Sequence, residues 1–186
     1  MAWRRVDQVL DLLFPPRCLL CDGWVAPGPV PACPGCIGDL PWLKPAAPPV
    51  GPALAGACAE VRSALRYEYP VDRLVAAAKF GRQLPVARGL GQLMAWRLPA
   101  PDVVPDAVIP VPLHWRREAD RGFNQAGEMA RAICERRGWP LRPAVCRRAR
   151  ATPEQSGLGA EQRRENLRGA FVLTDARTVA GLRHVL

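Results

Sequence analysis

Apolar positions change their spacing several times along this chain, and each change marks a predicted element. Trp3, Val6, Leu10 and Leu13 fall on one helical face, so residues 1–14 read as an amphipathic helix. Asp7 and Asp11 interrupt the apolar run that a signal peptide would require. Prolines then crowd residues 27–34 and 41–52, which read as loop or linker. Between 60 and 68, Val61, Leu65 and Tyr67 alternate with Arg62, Arg66 and Glu68, the pattern of a half-exposed strand. Helical spacing returns at Val71, Leu74, Val75 and Ala78, and Lys79-Phe80-Gly81 closes that helix with a cation and a glycine. Pro85 suits a first helical turn, and Leu90, Leu93, Met94 and Arg97 carry a second helix to about Leu98, where Pro99 and Pro101 end it.

The run Ala107-Val108-Ile109 is too short and too apolar to be amphipathic and fits a strand buried on both faces of a parallel sheet. From Asn124 onward, Ala126, Ala130, Ile133 and Arg137 keep a three-to-four spacing. Met129 and Cys134 widen that stripe, and Gly138 with Pro140 ends it. Residues 142–148, 170–174 and 182–186 read as further strands. Strand, helix, strand order predicts an α/β fold. No charge-free apolar run of about 18 residues interrupts the pattern, so no membrane span is expected and the chain reads as cytoplasmic.

Composition adjusts this picture in two ways. With 186 residues and 49% hydrophobic content, the chain supports one ordinary domain and a small appendage. The partition that follows is a helix over 1–14, a cysteine-bearing module over 15–44, a Pro/Gly-rich linker over 45–58 and a main domain over 59–186. The formal charge is +9, and of 26 basic residues only Lys44 and Lys79 are lysine. Guanidinium forks bind phosphate oxygens bidentately, so anionic partners are one reading of the charge; a solvated, arginine-biased surface is the other.

Cys18-Leu-Leu-Cys21 and Cys33-Pro-Gly-Cys36 form two C-x-x-C knuckles separated by eleven residues. Two intervening residues let the backbone curl so that both sulfurs of a knuckle face one ion, and four thiolates complete a tetrahedral, closed, structural zinc site. Two disulfides are disfavoured in a reducing compartment, and a thioredoxin-like redox motif needs only one pair in a strand-to-helix context. Cys58, Cys134 and Cys146 stand alone and read as small buried hydrophobes, leaving no second four-ligand set.

The remaining chemistry is concentrated between Val108 and Gln125. An apolar run there breaks into a turn stiffened by Pro110 and Pro112 and surrounded by Arg116, Arg117 and Arg121. Asn124 is placed to cap the next helix. A strand-to-helix turn of this kind is either an anion-binding loop or a structural corner, and His114 beside Trp115 is either an acid-base group or a packed side chain. The wording Pro-Val-Pro-Leu-His followed by Arg-Gly-Phe-Asn-Gln resembles the ComF family of competence proteins. So does the block from Ala151 to Phe171, with Thr152, Pro153, Gln155, Leu158, Arg163, Asn166, Gly169, Ala170 and Phe171 at matching positions.

That resemblance implies a type I phosphoribosyltransferase-like, parallel-sheet α/β domain preceded by a zinc ribbon. It implies substrate binding by Val111, Pro112, Leu113, His114, Arg121, Asn124 and Gln125 at a pyrophosphate-side loop. It also implies an active-site hood carrying Gln155, Arg163 and Asn166 as catalytic residues, and structural zinc on Cys18, Cys21, Cys33 and Cys36. Family members continue into a loop of paired aspartates, paired threonines and a glycine that cradles the sugar 5′-phosphate. This sequence has no match to that loop and stops after Leu182–Leu186, so the domain is expected to be C-terminally incomplete and truncated before it. Magnesium is expected with phosphoribosyl pyrophosphate only if that loop is present, and binding of a phosphorylated ligand is expected to be weak or lost. Loss of the cradle removes positioning worth several kcal/mol, which predicts little or no phosphoribosyl transfer by this chain. Two functions stay open: a transferase-related protein of DNA uptake and natural transformation, or a non-enzymatic zinc-ribbon protein that binds single-stranded DNA or a competence-machinery partner.

Overall fold

The computed structural model describes residues 16–43, 58–152, 157 and 159–186. The amphipathic helix expected over 1–14, nearly all of the 45–58 linker, and Gln155 lie outside the described residues. The chain divides into two compact units, Met1–Pro99 and Ala100–Leu186.

In the first unit a short helix, α1, spans Pro34–Gly38 and begins immediately after Cys33, with Pro34 supplying the fixed φ suited to a first turn. Two longer helices follow, α2 over Val71–Phe80 and α3 over Leu84–Arg97, each where the apolar spacing placed it. The inward stripe of α2 is Val71, Leu74 and Ala78, and that of α3 includes Val86, Leu90 and Leu93. Leu93 is fully buried, and it joins Val71, Val30 and Leu40 in one apolar cluster that also gathers Leu19, Leu20, Ile37 and Trp42. The cysteine-bearing loops therefore share a core with α2 and α3. Gly89 permits the approach: a Cβ there would stand 3.0 Å from Leu19 and 3.1 Å from Pro31.

The strand expected over 60–68 is reduced to a single antiparallel bridge between Leu65 and Trp42. Leu43 N–H to Ala64 O and Arg66 N–H to Pro41 O are its two flanking hydrogen bonds. Pro41 has no N–H to extend the ladder on its side. On the other, the Glu68 carbonyl already accepts from Val71 and Asp72 and turns the chain into α2.

The second unit contains α4 (Trp115–Arg121), α5 (Gln125–Arg137), β1 (Cys146–Arg148), α6 (Ala160–Leu167), β2 (Phe171–Leu173) and a 3-10 turn at Ala176–Val179. β1 and β2 pair antiparallel, with Cys146 opposite Leu173, Arg147 opposite Val172 and Arg148 opposite Phe171. A parallel-sheet phosphoribosyltransferase-like α/β fold is therefore not what the described residues form. They form a mostly helical chain with one two-stranded antiparallel sheet.

Proline explains why the expected parallel strands fail to grow. The segment 107–109 makes one parallel bridge on each side, Val108 to Leu141 and Ala107 to Val185. Pro105 and Pro110 bracket it, and Pro140 and Pro143 bracket Leu141, so the ladder between Val108 and Leu141 runs out of N–H donors. Residues 182–186 likewise contribute a bridge rather than a strand. Val108 still packs inward with Ala130 and Cys134 of α5, covered by Trp139 and Leu141. Two glycines in the left-handed region close the helices of this unit, Gly122 after α4 at φ 84° and Gly138 after α5 at φ 70°. Among the described residues, no helix is long and apolar enough to cross a membrane.

Candidate metal centre and ligand cavity

The first unit brings Cys18, Cys21, Cys33 and Cys36 together, with all four Sγ atoms within 4.8 Å of one another. The first knuckle is a tight turn: Cys18 N–H donates to Gly23 O at 2.7 Å and Asp22 N–H to Cys18 O at 2.9 Å, with Asp22 in the left-handed region at φ 58°. The second knuckle uses helix geometry instead. Cys33 precedes α1, its carbonyl accepts from Ile37 N–H at 2.9 Å, and Cys36 returns within that turn.

Cys21 Sγ and Cys33 Sγ are 3.9 Å apart, too far for a disulfide, and all four cysteines are free thiols. Zn–S bonds of about 2.3 Å in a tetrahedron place sulfurs about 3.8 Å apart, so the spacing and the all-thiolate donor set both fit zinc. Burial acts to raise the Cys18 thiol. Backbone N–H groups of Cys21, Cys33 and Leu20, together with the Cys21 side chain, outweigh it and bring the pKa down to about 6. Cys33 N–H donates to Cys18 Sγ at 3.4 Å, one of the contacts that favours the thiolate. The Cys36 thiol is pushed up, first by its hydrogen bond to Cys33, then by burial and by Cys21 and Cys18.

In the second unit the predicted loop is partly helical. His114 is 7% exposed and caps α4, its Nδ1 accepting from Arg116 N–H at 3.4 Å. Asn124 caps α5 through Oδ1, which accepts from Ala126 N–H at 3.1 Å, while its Nδ2 donates to Val111 O at 3.0 Å. Arg121 Nη1 donates to Gln125 Oε1 at 3.2 Å. Five of the predicted substrate residues are therefore tied to α4 and α5 by caps and side-chain bonds: Val111, His114, Arg121, Asn124 and Gln125.

A cavity of about 750 Å³ opens beside them. Pro112, Leu113 and Asn124 line it, together with Trp115, Phe123, Glu118 and Glu128 and the arginines Arg131, Arg147 and Arg148. Val111, His114, Arg121 and Gln125 are not among its lining residues, and neither are Arg163 and Asn166 of the predicted hood. Arg163 is exposed on α6. The main-chain oxygens of Asn166 and Arg168 accept from Arg150 Nη2 at 3.1 and 2.7 Å, an arginine closing the C-terminal end of α6.

Arg147 and Arg148 carry no motif in the sequence beyond membership in an arginine-rich predicted strand, yet both line the cavity. Arg148 donates through Nη2 to Thr152 Oγ1 and lies over the Phe171 ring at 5.4 Å. Arg117 Nη2 donates to Thr152 O at 2.6 Å, so two guanidiniums meet one buried threonine. Burial, and then the positive charge of Arg117, lower the Arg148 pKa. Among the isolated cysteines, Cys134 is buried and burial raises its thiol, as expected of a core residue, whereas Cys58 and Cys146 are only half-buried.

Residues 9–62 match the double zinc ribbon domain family. The N-terminal part of this chain is a zinc-ribbon domain. Among the described residues, the ribbon holds a single group able to bind a metal, the four cysteines above. The chain is also similar to competence protein F of Haemophilus influenzae, 32% identical over 126 residues, covering 64% of this chain and 54% of that protein. It is 31% identical over 156 residues to the DNA utilization protein YhgH of Salmonella typhimurium, covering 77% of this chain and 65% of the relative. The corresponding protein of Escherichia coli O157:H7 is 33% identical over 112 residues, covering 58% of this chain and 49% of the relative. The chain thus spans about half to two thirds of the length of these curated relatives. No solved structure matches it.

Proposed function

We propose that this chain serves DNA uptake or DNA use as a zinc-ribbon protein whose second unit recognises a phosphorylated ligand weakly and does not itself transfer a phosphoribosyl group. The observation that carries this reading is the composition of the cavity. It gathers Pro112, Leu113 and Asn124 beside Arg131, Arg147 and Arg148, while Arg163 and Asn166, the residues expected to act on the leaving group, are absent from its wall. Among the described residues, guanidinium donors suited to phosphate line the cavity while Arg163 and Asn166 do not, which supports recognition over bond breaking. Similarity to a competence protein and to DNA utilization proteins supports the biological setting.

A second reading, binding of single-stranded DNA, is favoured by exposed tryptophans carrying a guanidinium on one face. Arg17 lies 4.9 Å from the centre of the Trp24 ring, which is 65% exposed, and Arg116 lies 5.2 Å from that of Trp115, which is 66% exposed. Such faces stack on bases with little regard to sequence. Titration of the zinc-loaded chain with phosphoribosyl pyrophosphate and with oligothymidylate, each at two salt concentrations, separates the readings. The first reading predicts sugar-phosphate binding weaker than micromolar and little affinity for the oligonucleotide. Tight oligonucleotide binding that collapses in high salt, with none for the sugar phosphate, would replace the first reading by the second.

A further inference from the structure

Arg117 and Arg148 are positioned unusually for two cations of the same charge. Both donate to Thr152, one to its carbonyl oxygen at 2.6 Å and the other to its hydroxyl, and Thr152 is only 6% exposed. Among the described residues, neither guanidinium has a carboxylate within ion-pair distance. The acidic residues on the cavity wall do not fill that role: Glu128 pairs with Arg131 at 3.6 Å, and Glu118 is not within ion-pair distance of either arginine. Arg148 Nε is buried and has no acceptor, and the same side chain borders the cavity. A buried N–H donor on a cation without an acceptor costs more than a neutral one, and two adjacent guanidiniums without a counter-charge add their mutual repulsion. An oxyanion with several acceptor oxygens relieves both at once. A carboxylate offers only two oxygens in one plane, whereas a terminal phosphate offers three around an axis and can accept from several donors at once.

We propose that Arg148, on the wall of this cavity, forms the receptor for a terminal phosphate group of a small ligand held there, backed by Thr152 and the Arg117 bonded to it, neither of which lines the cavity. Thr152 fixes the two forks at their outer N–H groups, leaving Arg148 Nε and the remaining donors for the anion. The inference rests on the reading of the cavity as a phosphate-binding one and deepens it by naming the residues that grip the phosphate. It assigns the role to Arg148, on the short sheet, rather than to the Val111–His114 loop.

The test is titration of the zinc-loaded full chain with inorganic pyrophosphate, observing arginine Nε–H resonances by NMR. The resonance lost in Arg148→Lys, which keeps the charge but removes Nε, identifies the Arg148 signal. That signal should move saturably with pyrophosphate. Arg148→Gln and Arg117→Gln should each weaken binding by about tenfold or more, and Arg164→Gln, on exposed α6, should leave it unchanged. Unaltered thermal unfolding of Arg148→Lys and Arg117→Gln separates loss of binding from loss of fold. Saturable pyrophosphate binding that leaves the Arg148 signal in place would overturn this assignment while sparing the cavity reading. No saturable binding would overturn both. An oligothymidylate lacking a terminal phosphate that moves the Arg148 signal where pyrophosphate does not would also overturn it.

Discussion

Asn124 does two jobs with one amide: Oδ1 caps α5 and Nδ2 holds the Val111 carbonyl. Asn124→Ala removes both, and the expected cost is about 1–2 kcal/mol of stability, measurable as a lower urea midpoint with an unchanged slope. The capping role was legible from sequence, because an Asn directly before a three-to-four apolar stripe is a recognised helix start. The second role was not, since it depends on where Val111 returns in space. Asp106 gives a parallel case with a pH signature. Its carboxylate accepts from the backbone N–H of His184 and then of Arg183, and these bonds hold its pKa below the ordinary carboxylate value. A depressed folded pKa means that the anchoring of residues 183–186 is fully present above the unfolded carboxylate range, at about pH 4 and higher, and fades as pH falls through the lower folded value. Protection factors of the Ile109 and Leu186 amides, which pair through this segment, should therefore fall in acid and be low at neutral pH in Asp106→Ala. Equal protection of the two proteins at neutral pH would show that the carboxylate anchors nothing.

Among elements, the helices were readable, as were the segments that hold β1 and β2, whereas the strands of the expected parallel sheet were not, for a common reason. A helix satisfies its hydrogen bonds internally, so the spacing of Val71, Leu74 and Ala78, or of Ala126, Ala130 and Ile133, is enough to place it. A strand needs a partner with free donors. The apolar run at 107–109 had the right composition, yet prolines on both sides and in its neighbour confined it to isolated bridges. The two knuckles were readable because their constraint is local, two residues between ligands, whereas the cavity arginines were not, because which of many arginines turns inward is decided by the pairing of β1 with β2. The ribbon carries an element-scale prediction. Its loops share the cluster of Val30, Leu40, Val71 and Leu93, so zinc should stabilise α2 and α3 as well as the cysteine loops. Cys33→Ala is expected to abolish stoichiometric zinc and to lower the melting temperature of the chain. Retention of about one zinc per chain by that variant would refute the four-thiolate site.

At the scale of the whole molecule, a zinc-ribbon module with a four-cysteine cluster and a helical unit with an arginine-walled cavity share a chain that spans about half to two thirds of the length of its curated relatives. The charge of +9 was visible at once, but its meaning was not, because the sum does not say where the cations converge. Arg117 and Arg148 converge on Thr152, and Arg148 lines the cavity while Arg163 does not, which is the basis for proposing recognition of a phosphate rather than chemistry on it. The most direct test of that distinction is a single-turnover assay in which zinc-loaded protein, in excess over phosphoribosyl pyrophosphate, is supplied with magnesium and a mixture of nucleobases while released pyrophosphate is followed. The account predicts release no faster than in buffer, with the sugar phosphate recovered intact. Release of one equivalent per chain, coupled to formation of a nucleotide, would contradict it.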